Sequence, residues 1–411
     1  MLENIEFKKY QKRDDIHGTI LYPAVMVAPI QKDILSKLVT NTEITSIFDP
    51  FHGSGTALYE AMETLPSLRL IGCDINPLAN LITKVKLQGV ASNIDKDIKI
   101  LECLVENTKQ GSPFSFPNIA KWFREDIIRS LSILRSAIMQ IKSKRNRLFF
   151  WYMLCDVLRR HSNTRSSTYK LHIKEKESID RIENRVIESF FSSITKNVQR
   201  FNQSSNNFKL YKCDTLKKIQ TFEDSAFDLT ITSPPYGDNA TTVPYGQFSM
   251  LALYTIASED LNLEGWELEN YSIIDTLSIG GRHKEIEFDQ FEYSLLEPYL
   301  DCISKSMQTK VLRFFTDYFF FLKELCRVTH KYIVLTLGHR TVDRVQINLT
   351  DITKQFLEAN QFMNISYAQR EIPTKRIPKV TSIVNKKPVS SMNSEYIIIH
   401  ARKGMMEVVG P

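Results

Sequence analysis

Residues 227–236, Phe227-Asp228-Leu229-Thr230-Ile231-Thr232-Ser233-Pro234-Pro235-Tyr236, constrain this chain more than any other stretch. The apolar run reads as a buried strand. The two prolines after it cannot donate backbone hydrogen bonds and hold φ fixed. The chain therefore leaves its sheet along a stiff path with free carbonyl acceptors, and open parallel sheets bind ligands at that edge. A rigid carbonyl beside the Ser233 hydroxyl suits an NH2 group, and the Tyr236 ring suits a flat heterocycle. The pattern points to an exocyclic amine on a base. Pro-Pro pairs are also ordinary loop punctuation, so the weight of this motif depends on its context.

The context begins at Ile47-Phe48-Asp49-Pro50-Phe51-His52-Gly53-Ser54-Gly55-Thr56-Ala57-Leu58, where an apolar run enters a Gly-x-Gly turn and then a helical stretch. Two glycines allow close backbone approach to a ligand, and a helix amino terminus presents free N–H groups. Without Lys after the second glycine this is not a phosphate loop, and Leu58 stands where a full dinucleotide motif has its third glycine. A second apolar run ends at Asp74, in Gly72-Cys73-Asp74-Ile75-Asn76-Pro77, and a third ends at Asp214. An acid closing the second strand of a doubly wound sheet accepts from ribose hydroxyls. A lone Asp would be better read as a helix cap or turn residue. Three strand-ending acids in order, followed by Ser-Pro-Pro-Tyr, are not.

Asp-Pro-Phe-His-Gly-Ser-Gly-Thr (49–56), Gly-Cys-Asp-Ile-Asn-Pro (72–77) and Thr-Ser-Pro-Pro-Tyr (232–236) resemble the AdoMet-binding and catalytic motifs of DNA amino-methyltransferases. The Ser233 position resembles the cytosine-N4 type; adenine-N6 enzymes usually carry Asp or Asn there. The stretch from Lys375-Arg376-Ile377-Pro378 through Glu395–Ile399 resembles the last strands of that family. The resemblance covers 17–85, 206–257 and 311–403. It implies an α/β, Rossmann-like class I AdoMet-dependent methyltransferase sheet with a helical insertion. It implies S-adenosyl-L-methionine as cofactor, with contacts from Asp49, Phe51, Gly53, Gly55, Thr56, Asp74, Asn76 and Asp214. Ser233, Pro234, Pro235 and Tyr236 would be catalytic, methylating the N4 amine of a cytosine flipped from double-stranded DNA. Restriction-modification or host defence is the implied setting, with a cognate restriction endonuclease or defence complex as a further partner. Adenine N6, or an amine in RNA, remains open, because a Pro-Pro-aromatic loop serves any planar amine. A non-catalytic nucleic-acid-binding protein on the same fold is opposed by the intact motifs.

Charge distribution suggests where nucleic acid binds. Between Leu81 and Asn206 there are 23 Lys and Arg against 12 Asp and Glu; between Ser258 and Lys310 there are 4 against 12. A basic module in a neutral or acidic body is the footprint expected for a phosphate backbone, although a charged helical face is often merely solvated. Arg159, Arg160 and Arg165, among Ser, Asn and Thr, are the candidate DNA contacts. The expected organisation is catalytic core at 1–85, basic helical insertion at 86–205, core at 206–257, acidic insertion at 258–310 and core at 311–411. Six scattered cysteines without a Cys-x-x-Cys pair and eight histidines without ligand spacing support no metal site. The histidines read as surface or loop residues. The amino terminus lacks an apolar leader and no run reaches transmembrane length, so a reducing cytoplasm and no membrane are expected.

Periodicity predicts strands near 45–49, 69–73, 208–213, 227–232, 331–337 and 395–400. Helices are predicted over 24–39, 81–90, 98–108, 121–143, 147–160, 179–201 and 306–328. The Phe149-Phe150-Trp151-Tyr152 cluster reads as helical core, and Asn385-Lys386-Lys387-Pro388 as loop.

Overall fold

The structure, a computed structural model, describes residues 2, 5, 7, 9–165, 168–237, 243–261, 270–280, 285–372, 380–384, 387–390 and 394–405. Its central sheet has seven strands: β1 (Ser46–Asp49), β2 (Arg69–Asp74), β3 (Phe208–Lys212), β4 (Phe227–Thr232), β5 (Thr329–Leu337), β6 (Phe362–Glu371) and β7 (Ser394–Arg402). The order is β3-β2-β1-β4-β5-β7-β6. Strands β1 to β5 pair in parallel, and β7 runs antiparallel to both neighbours. This is the Rossmann-like methyltransferase sheet that the motifs imply. The order reverses direction between β1 and β4, and that switch point is where such sheets open a crevice at their carboxyl edge.

Both faces of the sheet are covered, which is why its central strands read as nearly continuous apolar runs. Along β5, Tyr332 and Val334 enter one apolar cluster while Ile333 and Leu335 enter the other, the two-residue alternation of a strand. The first cluster is built by α1 (Ala28–Asn41), α2 (Thr56–Thr64), α3 (Pro77–Gln88), α4 (Ile94–Asn107), α5 (Glu125–Met139), α6 (Lys144–His161), α7 (Val186–Asn197) and α8 (Tyr245–Thr255). The second is built by α9 (Gln290–Leu300), α10 (Lys305–Val328) and α11 (Leu349–Ala359). Phe149, Phe150, Trp151 and Tyr152 are each 0% exposed on α6, as their spacing predicts.

The strand and helix predictions hold with instructive exceptions. The helix expected over 121–143 breaks after Ile119–Trp122 and resumes at Glu125. At the break, Arg124 donates to the carbonyls of Ile179, Asp180 and Ile182. The helix expected from 179 is divided as well: Lys176–Asp180 forms a short helix, and the longer one begins at Val186. Strand β6 is absent from the sequence reading because it is an edge strand with mixed burial and no clean alternation. Lys387 and Pro388 belong to a strand, Lys387–Ser390, paired with Val380–Val384, and not to a loop. Residues 375–378 and 385–386 lie outside the described residues.

Gly72 leaves no room for a side chain between the sheet and the loop above it. A methyl carbon there would lie 2.8 Å from His52 Cδ2 and 2.9 Å from both Leu58 Cδ1 and Leu210 Cδ2. Gly72→Ala is expected to destabilise the fold by about 1–3 kcal/mol, the usual range for overpacking a core. Urea denaturation of the variant and the parent measures this.

Candidate active site

The loop after β1 is shaped by two glycines at φ 50° (Gly53) and 72° (Gly55), in the left-handed region that side chains disfavour. Gly55 also lacks room: a methyl carbon there would sit 2.6 Å from the Thr83 side chain. His52 lies in the loop, as expected, but turns inward and is 2% exposed, so it is not a surface residue. Its Nδ1 lies 3.1 Å from both Gly53 O and Thr83 Oγ1, and its Nε2 lies 3.3 Å from Asn80 Oδ1. Burial lowers its pKa, keeping the ring neutral. His17, His161 and His400 are buried as well. Beneath the loop, buried Lys86 donates to Ser54 O at 2.7 Å and lies 3.2 Å from His17 Nδ1. His17 Nε2 is 2.8 Å from Glu60 Oε1. Burial pulls the Lys86 ammonium down to about 7 and pushes Glu60 up to about 7.

The three strand-ending acids have separate duties. Asp74 accepts from Gly53 N at 2.9 Å through one oxygen and from Asn76 N at 2.8 Å through the other. It thereby fastens the glycine loop to the end of β2, and burial raises its pKa. Asp214 caps the short helix Thr215–Ile219 by accepting from Leu216 N at 3.0 Å. The neighbouring Thr215 donates to Pro50 O at 2.5 Å. Asp49 is 0% exposed. Its Oδ1 accepts from Thr232 Oγ1 at 2.6 Å and Phe51 N at 3.1 Å, while its Oδ2 is buried without a hydrogen-bond partner. Burial lifts this carboxyl to about 7. The remaining expected cofactor residues are near. Phe51 sets its ring edge-on to Phe321 at 5.0 Å, and the Thr56 hydroxyl is buried without a partner. Asn76 is committed to the protein: it caps α3 through Leu78 N and donates to Ser249 Oγ at 2.8 Å and Tyr22 OH at 3.3 Å.

Ser233, Pro234, Pro235 and Tyr236 leave β4 beside this loop. Pro234 is buried and the other three are half-buried. Ser233 Oγ and Tyr236 OH are 2.9 Å apart, and the Tyr236 ring packs against the second apolar cluster. Burial raises the Tyr236 hydroxyl pKa, so the phenol stays protonated. Residues 238–242, which follow, lie outside the described residues. Thr232, the first residue of the Thr-Ser-Pro-Pro-Tyr motif, joins it to the glycine loop through Asp49. Two site residues escape the sequence reading. Tyr22, 4% exposed, meets Asn76 and lies 6.0 Å from the ring of Tyr245. Neither carries a spacing signal, because each acts through a contact distant in sequence.

The arginines divide. Arg159, expected at the DNA surface, is 8% exposed, lies 4.9 Å over the Phe248 ring and donates to Thr168 O, so it braces α6 against α8 rather than standing open to solvent. Successive helix residues point about 100° apart, and Arg160 is outside, with 48% of its side chain exposed beside Asp156 at 2.9 Å. Arg165 is 52% exposed and 3.1 Å from Glu175. Among the described residues no cluster of His, Cys, Asp and Glu is arranged to hold a metal, and no helix is long and apolar enough to cross a membrane.

Similarity to known proteins agrees with the sheet and its loops. Over 417 aligned residues, 93% of this chain and 90% of the relative, the chain is 29% identical to Type II methyltransferase M.MvaI of Kocuria varians. This chain is similar to Type II methyltransferases. A second, Type II methyltransferase M.MjaII of Methanocaldococcus jannaschii, is 34% identical over 102 residues, 25% of this chain and 18% of the relative. No family model matches the chain. Among solved structures, the rRNA methyltransferase aviRa from Streptomyces viridochromogenes aligns over 98% of this chain and 96% of its own, with 11% identity and a TM-score of 0.33. The fold rests on the strand order rather than on that alignment.

Asp74→Ala is expected to release the glycine loop. Each lost charge-assisted bond is worth about 1.5–3 kcal/mol, so the Gly53 and Asn76 amides should exchange with solvent roughly ten- to hundredfold faster. Amides of β5 serve as the internal control in the hydrogen-exchange measurement.

Proposed function

We propose that this chain transfers the methyl group of S-adenosyl-L-methionine to the exocyclic N4 amine of a cytosine flipped out of double-stranded DNA, in restriction-modification or host defence. One observation carries the reading. The glycine loop and the Ser-Pro-Pro-Tyr loop leave adjacent strands at the switch point of the sheet, joined by the 2.6 Å hydrogen bond from Thr232 to Asp49. A cofactor loop and an amine-binding loop are thus held side by side. Similarity to a Type II methyltransferase along 93% of the chain supports methyl transfer, and Ser233 supports cytosine N4 over adenine N6.

The residues suit this cofactor. Gly53 and Gly55 leave the loop backbone open to close approach, and the lone pairs that Asp74 keeps beyond its two amide bonds can accept from a ribose diol. A buried polar atom without a partner is uncommon and calls for an explanation; Asp49 Oδ2 is an acceptor suited to the amino-acid ammonium of the cofactor. When bound, AdoMet supplies an electrophilic methyl on a sulfonium. The base amine is a weak nucleophile because its lone pair is delocalised into the ring. Ser233 Oγ and the Pro234 carbonyl, accepting its two N–H bonds, favour a pyramidal nitrogen whose lone pair attacks in line. AdoMet, held by the Gly53–Gly55 loop, Asp49 and Asp74, would supply the methyl to that nitrogen, which would afterwards give up its proton. Tyr236 orients the Ser233 hydroxyl and presents a ring edge or face to the base. The contribution of the protein is orientation and electrostatics.

Methylation-sensitive sequencing of DNA from a host expressing the chain tests the reading. N4-methylcytosine at a fixed sequence is expected; N6-methyladenine, or unmodified DNA with methylated RNA, overturns it. A second expected outcome follows from Asp49. With its carboxyl raised to about 7 by burial, lowering the pH below 7 protonates it and removes the ammonium partner. AdoMet affinity should fall by roughly tenfold between pH 8 and pH 6, and Asp49→Asn should bind weakly at both. Calorimetric titration across that range decides it. Arg160 and Arg165 are assigned to the phosphate backbone. Replacing both with Ala should flatten log affinity against log salt by about one unit per lost contact and leave AdoMet binding intact; unchanged slopes would make them ordinary solvated surface.

A further inference from the structure

Immediately past the Ser-Pro-Pro-Tyr loop, Gly237 is buried. Its φ is not in the left-handed region, so the backbone does not demand glycine there. The space does. A methyl carbon on Gly237 would lie 2.8 Å from Arg340 Cδ, 3.0 Å from its Nε and 3.1 Å from its Cζ. Arg340 opens the hairpin Arg340–Val342/Val345–Ile347 just after β5, the strand paired with β4. Its guanidinium carbon also lies 5.8 Å over the buried Phe314 ring. A half-buried guanidinium is therefore seated against the backbone one residue beyond Tyr236, in the hairpin that follows the strand paired with β4.

We propose that Arg340 is a specificity-determining residue that donates to the ring N3 and O2 of the flipped cytosine while Ser233 and Pro234 engage its amine. This rests on the cytosine-N4 reading above. Enzymes that flip a base read it by hydrogen bonds along its Watson–Crick edge. On cytosine that edge runs amine, N3, O2: a donor that suits Ser233 and Pro234, then two adjacent acceptors. Guanidinium presents two parallel donors in a fixed fork and cannot lose its charge, so it matches adjacent acceptors and nothing else on that edge. Adenine places a C–H beyond its ring N1 and leaves one arm of the fork without a partner. The chain thus has a physical means of preferring cytosine that does not involve Ser233. Gly237 is the space that lets the fork approach.

The test compares two duplexes containing the methylated site found by sequencing, one with cytosine and one with 3-deazacytosine at the target, where a C–H replaces N3. The intrinsic change in amine reactivity is common to all enzyme variants and cancels in their ratios. Parent enzyme should prefer cytosine in kcat/KM by roughly ten- to hundredfold beyond the preference shown by Arg340→Met, the range of one bidentate base contact. Gly237→Ala, which pushes the guanidinium away without removing its charge, should mimic Arg340→Met, and Arg340→Lys should recover part of the preference. Melting temperature and AdoMet affinity confirm that each variant is folded. If Arg340→Met loses the same factor on both duplexes, the side chain holds a phosphate or merely packs, and the proposal is overturned while the cytosine-N4 reading stands. If sequencing finds no N4-methylcytosine, that reading fails first.

Discussion

The position of β1 between β2 and β4 is the constraint on which the site depends. Only four residues long and wholly buried, it bonds in parallel to a strand on each side, and its Phe48 ring stacks on Phe227 of β4 at 4.6 Å. Parallel neighbours must be joined by long crossovers, so the pairing of β1 with β4 brings together residues far apart in the chain. The result is that Asp49 and Thr232, 183 positions apart, share a hydrogen bond. The glycine loop and the Ser-Pro-Pro-Tyr loop are in register because the sheet beneath them is.

This explains what could be read in the sequence and what could not. The two loops were legible because each is a local device: a glycine turn needs its glycines next to one another, and a rigid acceptor path needs adjacent prolines. The strand-ending acids were legible as a set, but their division of labour was not. Asp74 spends both oxygens on amide hydrogens of neighbouring loops, and Asn76 spends its side chain on a helix cap and two partners from other elements. Such duties arise from contacts across the fold and leave no spacing behind. Arg159 and Arg160 show the limit most plainly. They are neighbours of one chemistry, yet one helical step puts the first over Phe248 and the second in solvent. Adjacent arginines announce charge; the helix phase decides whether it is available.

Buried charge beneath the glycine loop serves a related purpose. Lys86 reaches from α3 to the Ser54 carbonyl, and His17 and Glu60 continue the chain of contacts to the amino-terminal segment and α2. The outer side of the loop is fastened by Asp74 and its inner side by an ammonium. A loop whose glycines permit many conformations is thus restricted to one by groups that are costly to bury unpaired. Five residues farther along the amino-terminal segment, Tyr22 meets Asn76. The segment before α1 therefore belongs to the site as much as the loop does.

The helices between 94 and 201 have no core of their own. Leu134, Phe150 and Phe190 lie in the same apolar cluster as Leu229 and Ile231 of β4 and Ile399 of β7. Asp260, at the start of the acidic stretch, takes both arms of Arg147 at 2.7 and 2.8 Å and the Trp151 indole N–H at 2.7 Å. A region that shares its interior with the central sheet cannot be cut out, replaced by a linker or exchanged for that of a relative without exposing the face it covers. Variation there is confined to surface side chains, taken one at a time, because the buried ones also hold up the sheet.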